Sequence, residues 1–419
     1  MEHALPERPR LRPVEPYPIQ TEQGMAFALH DREQVAPGPL LISPGALLVL
    51  QHLDGTRTLR DVQAGILRVT GSIVPLAQIE HLVRVLDEQL YLDGPRYADA
   101  VAAIRETFLA NPTRPAAFAG SAYPADPNDL RAFLDGLFIG PGAPGLPDRR
   151  GASGDTARRA MKALVAPHID LRRGGAAFAH AYRALAERSD ADLFVILGIA
   201  HAGDGRPYTL TGKDFDTPLG VVRTERAFVA RLAELTPSGA LGDELAHRTE
   251  HSVEFQVVLL RHLLPECEDL AIVPILCGSF RQALIDGRPP REQAEVRGFI
   301  DALRRAIEEA GRKVAIIAAV DLAHVGRRFG DAEPANAATL RLVEAEDRAM
   351  LETVAACDAD AFYRSIRKDL DRRHVCGYPA LYTMLCLLDG AATGTLLSYD
   401  QSPEPEMASA VTFASMIFA

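Results

Sequence analysis

Three short apolar runs in this 419-residue chain each end directly in a polar turn that carries histidine. Residues 163–166 are followed by Pro167-His168, residues 193–199 by Ala200-His201, and residues 314–320 by Asp321-Leu322-Ala323-His324. Apolar runs of roughly four to eight residues bounded by turn residues read as strands buried on both faces. Residue 271 to residue 276 forms a fourth such run, and 395–399 and 411–418 read as later strands. Helical patterns separate them, at 175–187, 226–235, 251–264, 299–310, 335–354 and 379–388. This alternation predicts an α/β fold with a mostly parallel or mixed central sheet flanked by helices. In open sheets of this kind ligands bind just outside the carboxyl ends of the strands. If the runs are parallel, His168, His201, Asp321 and His324 converge on one crevice. One histidine after a strand is an ordinary turn residue; three in the same position make a pattern.

Two further segments carry candidate chemistry. In Thr249-Glu250-His251-Ser252-Val253-Glu254, Thr249 or Glu250 caps a helix, and His251 and Glu254 share a face three residues apart. The pair could supply metal ligands or an acid/base couple. Equally, it could be a solvent-facing first turn whose acidic groups suit the positive helix end. In Arg373-His374-Val375-Cys376-Gly377-Tyr378-Pro379, the proline suits a first helical turn. Cys376 then precedes a helix N-terminus, where a thiolate is favoured, or is simply a small buried residue. Imidazoles joined by a thiolate or a carboxylate form a ligand set for iron or copper, with zinc as a further choice.

The remaining composition narrows the class. The other cysteines, at 267, 277, 357 and 386, form no CxxC and fall within apolar patterns. They read as structural, without a disulfide framework, in a reducing, cytoplasmic setting. A net charge of −11 argues against nucleic acid as a partner. No apolar run is long enough to span a membrane, and the N-terminus has no secretory pattern.

The pattern also divides the chain. Residues 1–40, rich in proline and charge, read as an extended arm. Residues 41–97 hold three short helical patterns and a closing Leu90-Tyr91-Leu92-Asp93-Gly94, a winged-helix-like α+β unit. Residues 98–116 read as a helical connector and 117–419 as the α/β domain. Gly, Pro and Asp mark 139–157 as an exposed loop.

The helix ending in Leu53-Asp54-Gly55-Thr56-Arg57-Thr58 and the closing Leu-Tyr-Leu-Asp-Gly resemble the PqqD-like peptide-recognition domains found beside radical-SAM maturation enzymes. That resemblance implies a peptide substrate. Over residues 117–419, Gly120-Ser121-x-Tyr123-Pro124, Ala166-Pro167-His168, Leu197-Gly198-x-x-His201, Glu250-His251-Ser252-Val253-Glu254, Asp321-Leu322-x-His324-x-Gly326 and Cys376-Gly377 together resemble the Memo family. Within it the chain looks like protein B of the AmmeMemoRadiSam system, which implies a radical-SAM protein and an AMMECR-type protein as partners.

The family fold is similar to that of the ring-cleaving, non-haem-iron extradiol dioxygenases. The resemblance implies a metal held by His168, His201 and Cys376, with Glu254 as an alternative ligand. It further implies His324 as a general acid/base oriented by Asp321, with His251 in a supporting or substrate-binding place. The activity implied is redox or dioxygenase-like; a non-catalytic adaptor is the alternative. The sequence departs from the family where His201 is followed by Ala202 instead of a second histidine, and where Ile169-Asp170-Leu171-Arg172-Arg173 replaces a Gly-aromatic turn.

Overall fold

The structure is a computed structural model and describes residues 5–22, 24–31, 33–148 and 161–419. It divides into two compact units, Met1–Ala110 and Asn111–Ala419.

In the first unit the helices Pro44–Leu50, Leu59–Thr70 and Leu76–Glu88 stand where the periodicity places them, followed by Pro95–Ala110. The segment 1–40 differs from the expected arm. Strands β1 (Glu15–Thr21) and β2 (Gly24–His30) form an antiparallel hairpin, and β3 (Leu40–Ile42) extends it in the order β1-β2-β3. Pro16 and Pro18 disguise β1 in the sequence, but β1 is an edge strand, where a missing amide hydrogen is tolerated. Leu29 and Ile42 join Val62, Ile79, Val83 and Leu86 in one core. The buried Tyr91 hydroxyl lies 2.9 Å from Leu29 O and accepts from the Leu40 amide at 3.2 Å. The closing β element expected at Leu90–Gly94 shrinks to one bridge between Leu92 and Leu11.

Among the described residues the second unit is built on a nine-stranded mixed sheet. Its strands are β5 (Ala163–Ala166), β6 (Leu193–Ile199), β7 (Tyr208–Leu210), β9 (Arg223–Thr224), β10 (Ala271–Cys277), β11 (Val314–Ala319), β12 (His324–Gly326), β13 (Gly394–Glu404) and β14 (Ser409–Phe418). The main path runs β12-β14-β5-β11-β6-β10-β7. A separate parallel pair joins β4 (Thr113–Arg114) and β8 (Asp214–Phe215).

Strands β5, β11, β6 and β10 are mutually parallel, and β14 runs antiparallel to β5. Alternate residues along the strands feed two cores. Val195 and Leu197 pack with the helices Arg226–Leu235, Ala294–Glu309, Ala337–Ala355, Ala359–Arg367 and Tyr378–Leu388. Phe194 and Ile196 pack with Pro127–Ile139, Leu171–Arg188 and His251–Leu263. Each face of the sheet is therefore covered, which is why the strands read as unbroken apolar runs.

The topology has one consequence for chemistry. Strand β11 sits between β5 and β6, so the turns after all three strands are neighbours on one edge. The expected loop at 139–157 begins where the helix Pro127–Ile139 ends, and its residues 149–157 lie outside the described residues. Among the described residues no helix is long and apolar enough to cross a membrane.

Candidate metal centre

The turns after β5 and β6 and the start of the helix His251–Leu263 bring three imidazoles together. One ligand nitrogen from each of His168, His201 and His251 lies within 4.8 Å of the other two. His168 is buried, His251 half-buried and His201 exposed, so the group is reachable from solvent on one side. The His201 and His251 rings stack at 4.7 Å between centroids, and His168 meets them edge-on at 5.1 and 5.3 Å.

The His168 and His201 rings are held by hydrogen bonds at Nδ1, and His251 Nδ1 faces the Glu250 carboxylate at ion-pair distance. His168 Nδ1 lies 2.9 Å from Ala319 O, the last carbonyl of β11. His201 Nδ1 lies 3.0 Å from Glu250 Oε1, and the His201 amide donates to Oε2 at 3.1 Å. His251 Nδ1 lies 3.4 Å from Glu250 Oε1. Hydrogen bonds of this kind put the proton on Nδ1 and leave Nε2 as a lone-pair donor. Burial pushes His168 below its ordinary value despite the opposing Asp321 charge, and pushes His251 down to about 3. Both are neutral imidazoles near pH 7, the form that binds a metal.

Glu250 organises two of the three rings. It caps the helix by accepting from the Ser252 amide at 2.9 Å. Burial alone would raise its carboxyl, yet the facing His201, His251 and the Ser252 amide hold it well below the carboxylate range. The rest of the first helical turns lock the helix onto the strand ends. Ser252 Oγ accepts from the Ile199 amide at 3.0 Å, and Gln256 Nε2 donates to Pro167 O at 2.9 Å. A Cβ on Gly198 would stand 2.6 Å from Ser252 Oγ, so only glycine lets β6 approach this closely.

The remaining expected site residues fall at different distances from this group. Cys376 Sγ lies 3.4 Å from His168 Nε2, at the edge of the three nitrogens. Of the two readings of Cys376, burial favours the small buried residue: it pushes the thiol well above its ordinary value, and the Asp321 charge adds to that. Asp321 does not orient His324 by a hydrogen bond. It accepts from the amides of His168 and Ile169 at 3.0 and 3.1 Å, and its other oxygen stands 3.6 Å from His168 Nε2. His324 Nδ1 instead faces Leu322 O at 3.1 Å, and burial pushes this imidazole down to about 4.

Glu254, expected as an alternative ligand, is fully buried in an ion pair with Arg114 and is not a member of the three-nitrogen group. His251, expected in a supporting place, is a member. Arg114 and His374 carry no role in the sequence reading, and Glu250 is read there only as a helix cap. Glu250 carried the visible signal of an acidic residue at a helix cap. His374 Nδ1 lies 3.2 Å from His324 O, and its residue has φ +49°, a strained conformation for a non-glycine.

A cavity of about 310 Å³ adjoins the group and is lined by Ala200, Phe280, Arg281, His374, Cys376 and Tyr378, among others. A larger one of about 490 Å³ is lined by Asp301, Arg304 and Cys386 among others; the three imidazoles line neither cavity, but the smaller one is bordered by Cys376, whose Sγ lies 3.4 Å from His168 Nε2. The smaller cavity is the one positioned for chemistry.

Comparison with known proteins places this geometry in a lineage. A family profile described as Memo-like protein matches residues 114–417. A MEMO1 family protein of Aquifex aeolicus is 26% identical over 397 residues, covering 94% of this chain and 96% of the relative. MEMO1 family proteins of Methanopyrus kandleri and Methanosarcina barkeri are 30% and 29% identical. Each of these two covers 73% of this chain, and they match over 98% and 99% of their own lengths. A match over 94% of the chain includes most of Met1–Ala110.

Proposed function

The chain belongs to the Memo-like protein family, and from that premise we propose that it is a metal-binding protein with redox, dioxygenase-like activity. Its ligands are the Nε2 atoms of His168, His201 and His251, with Cys376 as an adjoining donor. The observation that carries the reading is the convergence of three imidazoles within 4.8 Å, two of them anchored on one carboxylate. Imidazole donors suit iron and copper as well as zinc. A bound ion would polarise a substrate oxygen and, if redox-active, exchange electrons with it.

The chain's own groups then do the rest. Asp321, beside His168, and the neutral His324 are acceptors for a proton released from a substrate hydroxyl or thiol. The cavity bounded by Cys376, Phe280 and Tyr378 receives a small molecule or the end of a modified peptide. In a radical-SAM-associated pathway the N-terminal unit would capture that peptide, and a radical-SAM protein and an AMMECR-type protein would be the partners.

Metal content after anaerobic purification tests the centre. Wild type should retain about one equivalent of iron or copper per chain, a stoichiometry expected of one closed ligand set. His168→Ala and His251→Ala should lose it, and Cys376→Ala should weaken it. Equal metal in all four proteins would remove the site.

A second reading, a non-catalytic adaptor, is favoured by the separate N-terminal unit, whose sheet exposes Met25 and Leu41. Oxygen uptake by the ferrous protein with catechols or thiols separates the two. A metal-loaded protein that consumes none, yet captures the radical-SAM partner through residues 1–110, is the adaptor.

A further inference from the structure

We infer that the buried Arg114–Glu254 pair is a positioning device for the metal centre, setting where His251 and Glu250 stand. The inference rests on the metal-centre reading above. Arg114 is fully buried. Its guanidinium reaches three groups that bracket His251 in the chain, and its own neighbour Pro115. Nε donates to His247 O at 2.7 Å, Nη2 to Glu250 O at 2.8 Å, and Nη1 to the Glu254 carboxylate and to Pro115 O. Glu254 also accepts from the Ala117 and Phe118 amides at 3.1 and 2.9 Å and from the Tyr123 hydroxyl at 2.5 Å. Phe118, so anchored, lies edge-on to the His251 ring at 5.8 Å. One strut thus ties residues 113–123 to the chain before, at and after His251.

Two physical arguments give the strut a positional role. First, a buried ion pair is rarely more stabilising than apolar residues of the same volume, so stability alone is a poor reason to keep one. Second, the carbonyl that Arg114 holds belongs to Glu250, whose side chain anchors His201 and faces His251. A small displacement of residues 250–251 therefore moves two of the three imidazoles together. The planar fork of arginine meets His247 O, Glu250 O and Glu254 at once; a lysine keeps the charge but offers a single point of contact. This also accounts for Tyr123 in the Gly120-Ser121-x-Tyr123-Pro124 motif, which supplies a hydroxyl to Glu254.

The test uses the full chain and Co²⁺ as probe, read by its visible ligand-field absorption, together with thermal unfolding. Arg114→Lys should bind Co²⁺ about 10–100-fold more weakly than wild type, the usual cost of disturbing the groups behind metal ligands. Its absorption bands should also shift. Arg12→Lys, in the N-terminal unit, should lower stability and leave both the affinity and the spectrum unchanged. If Arg114→Lys does not fold, Tyr123→Phe removes one hydrogen bond from Glu254 and should produce a smaller change of the same kind. Wild-type affinity and spectrum in the folded variant, with only a lower melting temperature, would reduce the strut to a structural one and overturn the inference. A wild-type chain that binds no Co²⁺ would instead overturn the metal-centre reading and, with it, this one.

Discussion

Both units of the molecule bury an arginine against carboxylates, and the two pairs serve different ends. In the N-terminal unit Arg12 meets Asp31 at 2.9 Å and Glu33 at 2.7 Å and donates to Leu90 O at 2.6 Å. Asp31 in turn accepts from the Val35 and Ala36 amides at 2.8 Å. What that group holds is turn backbone and the Tyr97 ring, which lies under Arg12 and donates its hydroxyl to Glu33. Arg114 makes the same kind of pair in the C-terminal unit, but its remaining hydrogen bonds reach the carbonyls of His247 and Glu250 as well as that of Pro115. A buried ion pair is therefore not a functional signal in itself; what its spare donors hold decides its role.

The largest expected effect separates the two regions completely. His251→Ala should weaken metal binding on the order of 100-fold or more, since it removes a ligand and not merely a supporting group. Arg12→Met should leave metal content unchanged. Elemental analysis of both variants checks this, and a metal loss in Arg12→Met would erase the contrast.

The next effect is one of stability, and here the regions should behave alike. Arg12→Met and Arg114→Met each strand a buried carboxylate and should cost about 3–5 kcal/mol. Pairing each change with Asp31→Leu or Glu254→Leu should recover much of that loss in urea unfolding. A single variant within about 0.5 kcal/mol of wild type, the range of an ordinary surface change, would show that its pair is not as buried as described.

Acid should then separate the two units again. Burial works to raise Asp31, but the Ala36 amide and Arg12 hold it below its ordinary value. Its contribution is present above the unfolded pKa of about 4 and is lost as the pH falls through the lowered folded value. His247 is pushed down to about 4 by burial, so it stays neutral in the fold while the unfolded chain protonates below about 6.5. Its contribution is complete above about pH 6.5 and falls away between there and about 4. Urea midpoints measured against pH should thus decline first through the histidines that burial pushes down, His247 with His251 and His324, so that His247→Gln makes that earlier limb shallower while Asp31→Asn does so for the later one.

The smallest effect belongs to the N-terminal unit alone. Thr58 and Asp61 form a reciprocal cap on the helix Leu59–Thr70. Thr58→Ala should cost about 1 kcal/mol, with no change in metal affinity. A change at the metal would mean that the N-terminal unit influences the centre.

Much of the α/β unit was legible because each signal was local. The strands β5, β6, β10 and β11 are covered on both faces, and this leaves unbroken apolar runs in the chain. The helix beginning at His251 announced itself through the capping residue Glu250. The strands β1 and β2 were not legible, because proline and charge on an edge hairpin look like those of a free arm. Arg114 was not legible either. Its partners His247, Glu250 and Glu254 lie well over a hundred residues away, and a lone arginine before a proline carries no local mark.

What the amino-acid order determined by itself was the placement of histidines immediately after buried strands, since periodicity and turn chemistry act over a few residues. It also determined that these strands need helices on both faces. Only the tertiary structure decided which side chains meet. Inserting β11 between β5 and β6 makes neighbours of His168, Asp321 and the turn carrying His201. Docking the His251 helix against Gly198 brings in His251 as the third imidazole. Burial then sets Glu254 against Arg114 and pushes the Cys376 thiol above its ordinary value. These outcomes depend on desolvation and on contacts between distant segments, and neither quantity exists until the chain has closed around them.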